Sequence, residues 1–199
     1  MAAHEKQEAG AHPYVVPTPR IGAKSGLTYG VATAHPFDFS VTQVSFVVRD
    51  LEATIEAYRS AFGWGPFNVF DMWCEGPNSL LRGEQVRYRI KWSECIVKPG
   101  INFEFIQPME GPNVWVEWLE TKGEGVWGVG VMMRSNEEGT QVKEWFAERG
   151  VAELMRGDVG DDIEWYLLDT APMMKVMTIC GGGHAIDWAY ESERAYQVT

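Results

Sequence analysis

Val44, Phe46 and Val48 alternate with Gln43, Ser45 and Val47, so residues 41–48 read as a strand with one wholly apolar face and one mixed face. Asp50 follows as a helix cap. Leu51, Ile55, Tyr58 and Phe62 recur at helical spacing, and Gly63 ends the run. That stripe can cover the apolar face of the strand. Three more strands are expected, at residues 65–72, 85–92 and 101–107. The second alternates strictly, Val86, Tyr88, Ile90 and Trp92 against Arg87, Arg89 and Lys91. The third sets Glu104 between Phe103 and Phe105. The connector from 108 to 123 is expected to hold a short helix around 114–119, with Trp115, Trp118 and Leu119 on one apolar face.

Then the pattern restarts. Residues 129–134 (VGVMMR) can be laid on residues 44–49 (VSFVVR), and a helix over 137–149 follows, closed by Gly150. Strands are expected at 152–156, 163–169 and 174–180. Element order and spacing are both kept, which marks a repeat. The predicted fold is α+β, with two βαβββ modules forming one cup-shaped mixed sheet. The divisions are an N-terminal arm at 1–39, a first module at 40–108, a helical connector at 109–124, a second module at 125–183 and a tail at 184–199. Tyr14 to Val16 and Phe37 to Phe39 are patches that could pin the arm to the domain or to a second subunit.

Composition narrows the function. The net charge of −11 lacks the basic face that nucleic acid or an anionic membrane requires, so neither is an expected partner. Three cysteines without CxxC spacing point away from a disulfide framework or zinc knuckle and toward a reducing, cytoplasmic setting. No apolar run approaches the length of a membrane span, and no signal-peptide core is visible near the start. Nine Trp exceed what packing alone requires, and surplus rings often line a pocket.

Two βαβββ copies, each opening with a strand and a helix of the RDLEATIEAYRSAFG type, resemble the vicinal oxygen chelate superfamily of glyoxalases, bleomycin-resistance proteins and extradiol dioxygenases. The stretch INFEFIQPMEGPNVWVEWLETKGEGVWGVGV looks most like the methylmalonyl-CoA epimerase branch, and WYLLDT resembles the strand before the last. The resemblance covers about residues 39–181. It implies four cup positions that usually hold a divalent metal, here Gln43, Glu104, Gly128 and Thr178. Only Glu104 is a strong ligand in that set, so no metal and no other cofactor is expected.

Alternation turns Gln43 and Glu104 into the cup, and Gly128 and Gly130 would leave open space there. An inward carboxylate among rings has a raised pKa and suits proton transfer near neutrality. Glu104 is therefore the expected catalytic base and Gln43 its polar orienter. Trp92, Trp127 and Tyr166 are expected walls, and Tyr88, Tyr166 and Thr178 are possible donors to a substrate oxygen. The leading expectation is a metal-independent isomerase, epimerase or lyase acting on a small apolar or aromatic carbonyl compound, working as a homodimer. The alternatives are a protein that sequesters an aromatic compound, and a metal-dependent enzyme of glyoxalase or epimerase type with a degenerate site. His184 follows three glycines and could swing over the cup as a second acid or base.

Overall fold

The computed structural model describes residues 36, 37, 39, 41–97, 100–159, 163–182 and 194–196. The arm through His35 and the expected role of His184 lie outside the described residues.

The first module opens with β1 (Val41–Val47) and α1 (Leu51–Phe62). Asp50 Oδ1 accepts from the Ala53 N–H at 2.9 Å, which satisfies one of the helix's orphan donors. Gly63 ends the helix with φ +66°, a left-handed conformation that costs glycine nothing, and its N–H donates to the Arg59 carbonyl. The module continues with β2 (Phe67–Cys74), β3 (Leu80–Leu81), β4 (Glu84–Gln85), β5 (Tyr88–Val97) and β6 (Ile101–Glu110). Next comes α2 (Val114–Thr121), capped by Asn113. The second module has β7 (Gly125–Met133), α3 (Asn136–Ala147), β8 (Glu153–Val159), β9 (Ile163–Leu168), a short α4 (Ala171–Met174) and β10 (Met177–Gly182). A last strand, β11 (Arg194–Tyr196), pairs with β2.

The strands form one mixed sheet in the order β11-β2-β5-β6-β1-β7-β10-β9-β8-β3-β4. In each module the opening strand pairs in parallel with the closing one, β1 with β6 and β7 with β10. The modules join through antiparallel β1 and β7. The expected two-module cup is therefore the observed α+β architecture.

Each module's helix covers the outer face of its own strands. Leu51 and Ile55 of α1 pack with Phe67, Val69, Cys95 and Phe105. Both are essentially sealed from water, and each such side chain contributes about 1.5–3 kcal/mol. Val142 and Phe146 of α3 pack with Val131, Met133, Tyr166, Leu168 and Cys180. Phe37 and Phe39 rest on the same cluster, Phe39 within 6.0 Å of the Trp145 ring and 5.7 Å of the Phe146 ring. That patch does pin its segment to the domain.

The inner face draws on both modules. Val47, Tyr88, Ile90 and Ile106 meet Trp127, Met155 and Leu167 there, with Val114, Trp115 and Leu119 of α2 packed among them. The α2 face is thus spent inside the chain's own cup. The segment between β2 and β5 crosses to the far edge of the sheet. Leu80 and Leu81 of β3 pair with Arg156 and Met155 of β8, and Arg82 forks onto Glu117 of α2 at 2.8 and 2.6 Å. This strap ties one module to the other's edge strand. Its two-residue strands were too short to show as a pattern.

Cys74, Cys95 and Cys180 are all free. Among the described residues no helix is long and apolar enough to cross a membrane.

Candidate active site

A cavity of about 140 Å³ opens on the inner face. One side is built by module one. Gln43 and Ser45 on β1 lie in register with Asn102 and Glu104 on β6, and all four side chains share the inner face. Gln43 Nε2 donates to Glu104 Oε2 at 2.9 Å and to Ser45 Oγ at 2.9 Å, while its Oε1 accepts from Asn102 Nδ2 at 3.1 Å. Both ends of the amide are occupied, so its orientation is fixed. Gly130 makes the space for it: a Cβ there would lie 2.7 Å from the Gln43 Cβ. The room expected beside Gly130 is filled by Gln43 itself.

Glu104 is not alone. On β5 the inward set Tyr88, Ile90 and Trp92 continues to Glu94, which lies directly opposite Glu104 in the antiparallel β5–β6 ladder. Opposed side chains of this kind have Cβ atoms about 5 Å apart. Glu94 is buried, and Glu104 keeps a little accessible surface lining the cavity. Burial lifts Glu104 to about 7 against the pull of hydrogen bonds from Ser45 and Gln43. Burial lifts Glu94 further, to about 8, and the neighbouring Glu104 charge adds to the rise, while Asn102 offsets part of it. The Trp92 indole N–H lies nearby but makes no bond of proper geometry. No cation lines the cavity among the described residues. Between those two values the pair holds about one proton, and Glu94 keeps it more readily than Glu104.

The sequence reading ended the strand at Trp92 and so missed Glu94. Two more steps of the same alternation would have found it.

Module two supplies the apolar wall. Trp127 is almost fully buried in the cup, as expected, but by a different route. Ser45 pairs with Gly128 and Phe46 with Val126, so a bulge falls at Trp127. The bulge puts Trp127 on the same face as Gly128, which simple alternation would forbid. Trp92 stacks on Phe70 at 4.5 Å and 24°, and both line the cavity. Tyr88 lines it too, its buried hydroxyl beside Cys74 without a bond of good geometry.

Two expected site residues are corrected. Thr178 pairs with Val129, an outward position, and its hydroxyl lies 2.9 Å from that of Thr170, so Met177 and Ile179 face inward instead. Tyr166 pairs with Cys180 and packs under α3, where a Cβ on Gly139 would collide with its hydroxyl. Its neighbour Trp165 lines the cavity. Arg87 and Arg89 are also away from the cup. Arg87 pairs with Glu75 over the Trp73 ring, and Arg89 forks onto Asp71.

Trp115 and Trp127 line the cavity, and their indole N–H groups are buried without a partner. A buried donor left unpaired costs about 1–3 kcal/mol.

The fold resemblance implies a divalent metal between the modules. A transition metal needs three or four N, O or S donors from the protein. Here β1 offers an amide already saturated by neighbours, β6 offers Glu104, β7 offers Gly128 and Gly130, and β10 offers Met177 and Ile179. Module two's one carboxylate at the cavity, Asp158 on β8, is already held by the Asn78 amide through both oxygens, and Glu94 adds a carboxylate only on the same side as Glu104. Among the described residues no group of three His, Cys, Asp or Glu side chains converges. These residues do not fit the metal.

No family model matches the chain, and no curated protein matches it. Solved structures do. Methylmalonyl-CoA epimerase from Mycobacterium tuberculosis is 13% identical, with 73% of this chain and 88% of that chain covered and a TM-score of 0.53. The hypothetical protein BH1468 from Bacillus halodurans is 12% identical over 71% of this chain and 92% of its own, also at 0.53. A variant of the Streptomyces coelicolor methylmalonyl-CoA epimerase, in complex with 2-nitronate-propionyl-CoA, is 16% identical over 73% and 95%, with a TM-score of 0.51. The likeness is one of fold. The chain adopts the vicinal oxygen chelate fold.

Proposed function

We propose that the protein is a metal-independent isomerase or epimerase that moves a proton at a carbon next to a carbonyl. The observation that carries this reading is the Glu94–Glu104 pair, buried face to face in an aromatic cavity and holding about one proton between about pH 7 and 8. The fold alone would not carry it, since this architecture hosts many chemistries.

Glu104, as the carboxylate, takes the proton from the α-carbon. The electron pair of that C–H bond forms the C=C bond of an enol, and the carbonyl oxygen receives the Glu94 proton. Return of the Glu104 proton to the α-carbon and of the enol proton to Glu94 restores the carbonyl; the configuration inverts when the enol turns its other face to Glu104 before the proton returns. No oxidant or metal enters the balance. Ser45 and Gln43 hold Glu104 in place and keep its pKa from rising further. Such tuning of two carboxyls apart is how one site supplies both an acid and a base. Loss of a β-substituent from the same enol would give a lyase.

The test is exchange of solvent deuterium into the α-carbons of acetophenone and cyclohexanone, followed by proton NMR. Wild-type protein is expected to catalyse exchange and Glu104→Gln to lose it. Unaltered exchange in Glu104→Gln would remove Glu104 as the base.

A second reading, a binding protein for an aromatic compound, is favoured by the stacked Trp92–Phe70 wall. Tight binding with the ligand recovered unchanged, and no exchange, would select it. Assembly as a homodimer is also proposed, from the way such modules pair between chains. A single monomeric boundary in sedimentation at micromolar concentration would contradict it.

A further inference from the structure

We propose that Asn102 is a positioning residue for the proton-transfer site: its amide sets the direction in which Gln43 faces Glu104 and so keeps that carboxylate a proton acceptor. This rests on the proton-transfer reading above for its effect on rate, and on hydrogen-bond geometry for the rest.

Asn102 and Glu104 are successive inward residues of β6. Asparagine is depleted in strands, and this one is buried within the sheet. It is not among the residues that line the cavity, so it acts only through its neighbours. β6 lies between β1 and β5. On β1 the partner of Asn102 is Gln43, and on β5 it is Ile96, which sets Asn102 diagonal to Glu94. Long side chains still meet across such a diagonal.

The directions of the bonds are what matter. Gln43 Nε2 donates to Glu104 Oε2 and to Ser45 Oγ, each at 2.9 Å, which uses both of its N–H groups. The Gln43 Oε1 is then turned to Asn102, whose Nδ2 donates to it at 3.1 Å. With Gln43 turned over, its oxygen would face Glu104, which could bond to it only as the acid. Ser45 can donate or accept, so it does not choose between the two directions. The donor on Asn102 does choose. It is held there at a cost, because Asn102 Oδ1 is buried without a partner. Turning the Asn102 amide would set that oxygen against Gln43 Oε1, acceptor against acceptor. A buried orphan of this kind needs a reason, and the direction of Gln43 supplies one.

The ionisable groups around Glu104 leave this role to the amides. β1 and β7 bring none to the cavity. Glu94 stands opposite on β5, and Asp158 on β8 is tied to Asn78. Cys74 and Tyr88 also line the cavity, and burial pushes both up, away from neutrality. Asn102 holds Glu94 down as well, so one side chain acts on both carboxyls.

Carbon-13 NMR titration of the Glu104 carboxyl in Asn102→Leu tests the proposal. Leucine keeps the shape and removes the donor. Glu104 is expected to titrate about half to one pH unit higher than in wild type, within what one hydrogen bond to a charged group can set. Both limbs of the pH–rate profile should move up with it, whereas a merely structural loss would lower the rate without moving the limbs. A double variant carrying Gln43→Leu and Asn102→Leu should put Glu104 no higher than Gln43→Leu alone, because Asn102 acts through Gln43. If Asn102→Leu does not fold, Asn102→Ser, too short to reach Gln43, takes the same measurements. A Glu104 titration unmoved in the single variant overturns the proposal. So do single-variant shifts that add in full in the double. The titration requires no turnover. Glu104 moving as expected with no exchange in wild type defeats only the catalytic reading. Exchange that Glu104→Gln abolishes, with Glu104 unmoved in Asn102→Leu, defeats only this proposal.

Discussion

The two modules are copies in topology and opposites in chemistry. In each, the opening strand runs parallel to the closing one and a helix covers the outside. Yet the inner face of module one carries Gln43, Ser45, Glu94, Asn102 and Glu104. The matching face of module two carries Gly128, Gly130, Met177, Ile179 and Trp165, and its one cavity carboxylate, Asp158, is tied to Asn78. A backbone frame can be duplicated while only one copy keeps polar work, because the sheet's hydrogen bonds do not depend on which side chains face the cup. A metal held between the modules would need ligands from both. A carboxyl pair on neighbouring strands of one module needs nothing from the other except a dry wall. That wall raises the pKa values that make the pair useful.

The largest effect should come from the polar half. Glu104→Gln keeps the side chain's shape and should lower exchange by about 10²–10⁴-fold, the range for losing a general base. Its circular dichroism should match wild type. Ile179→Val on the opposite wall should cost only about 0.5–1.5 kcal/mol of stability and leave most of the exchange rate, which the same assay reads.

The pair also ties stability to pH. A free glutamate titrates near 4.5, and the folded values are about 7 and 8. Between those limits the unfolded chain has released these protons and the folded chain has not. The folded state then binds more protons, so stability falls as pH rises. The contribution is fully present below about pH 4.5 and is lost by about pH 8. Thermal melts of wild type should shift downward across that window, and Glu94→Gln should flatten the dependence. The rate should be bell-shaped, with an acid limb near 7 from Glu104 and a basic limb near 8 from Glu94. Gln43→Leu removes a donor that holds Glu104 down, so its acid limb should move to higher pH.

The glycines of β7 sharpen the contrast further. Gly130→Ala forces a Cβ to 2.7 Å from Gln43 and should cost about 1–3 kcal/mol along with much of the rate. At Gly128 the nearest atom to a new Cβ is the Met177 carbonyl oxygen at 3.4 Å, so Gly128→Ala should change stability by no more than about 0.5 kcal/mol. Chemical denaturation separates the two. Smallest of all is Tyr166→Phe. Its hydroxyl is buried and unpaired beneath α3, so its loss should be neutral or slightly stabilising, with ligand binding untouched.

Much of the frame was legible because it rests on local rules. Asp50 and Gly63 bound α1 as the capping pattern predicts, and alternation along β1 and β6 turned Gln43 and Glu104 inward. What failed was phase and length. Pattern alone turns Thr178 and Tyr166 inward, but α4 occupies residues 171–174 and delays β10 to Met177, and the ladder then fixes Met177, Ile179 and Trp165 as the inner set. Glu94 was missed because β5 was ended early. Trp127 reached the cup through a bulge that only pairing with β1 reveals. The strap at β3 and β4 depends wholly on distant partners, so no local pattern announces it.

The most direct measurement is a carbon-13 NMR titration of protein labelled at glutamate side-chain carboxyls, with Glu94→Gln and Glu104→Gln used for assignment. Two carboxyls should titrate near 7 and 8, well apart from the rest, and Glu104→Gln should lower the value for Glu94 by removing the neighbouring charge. Both carboxyls titrating with the surface glutamates near 4.5 would contradict the account.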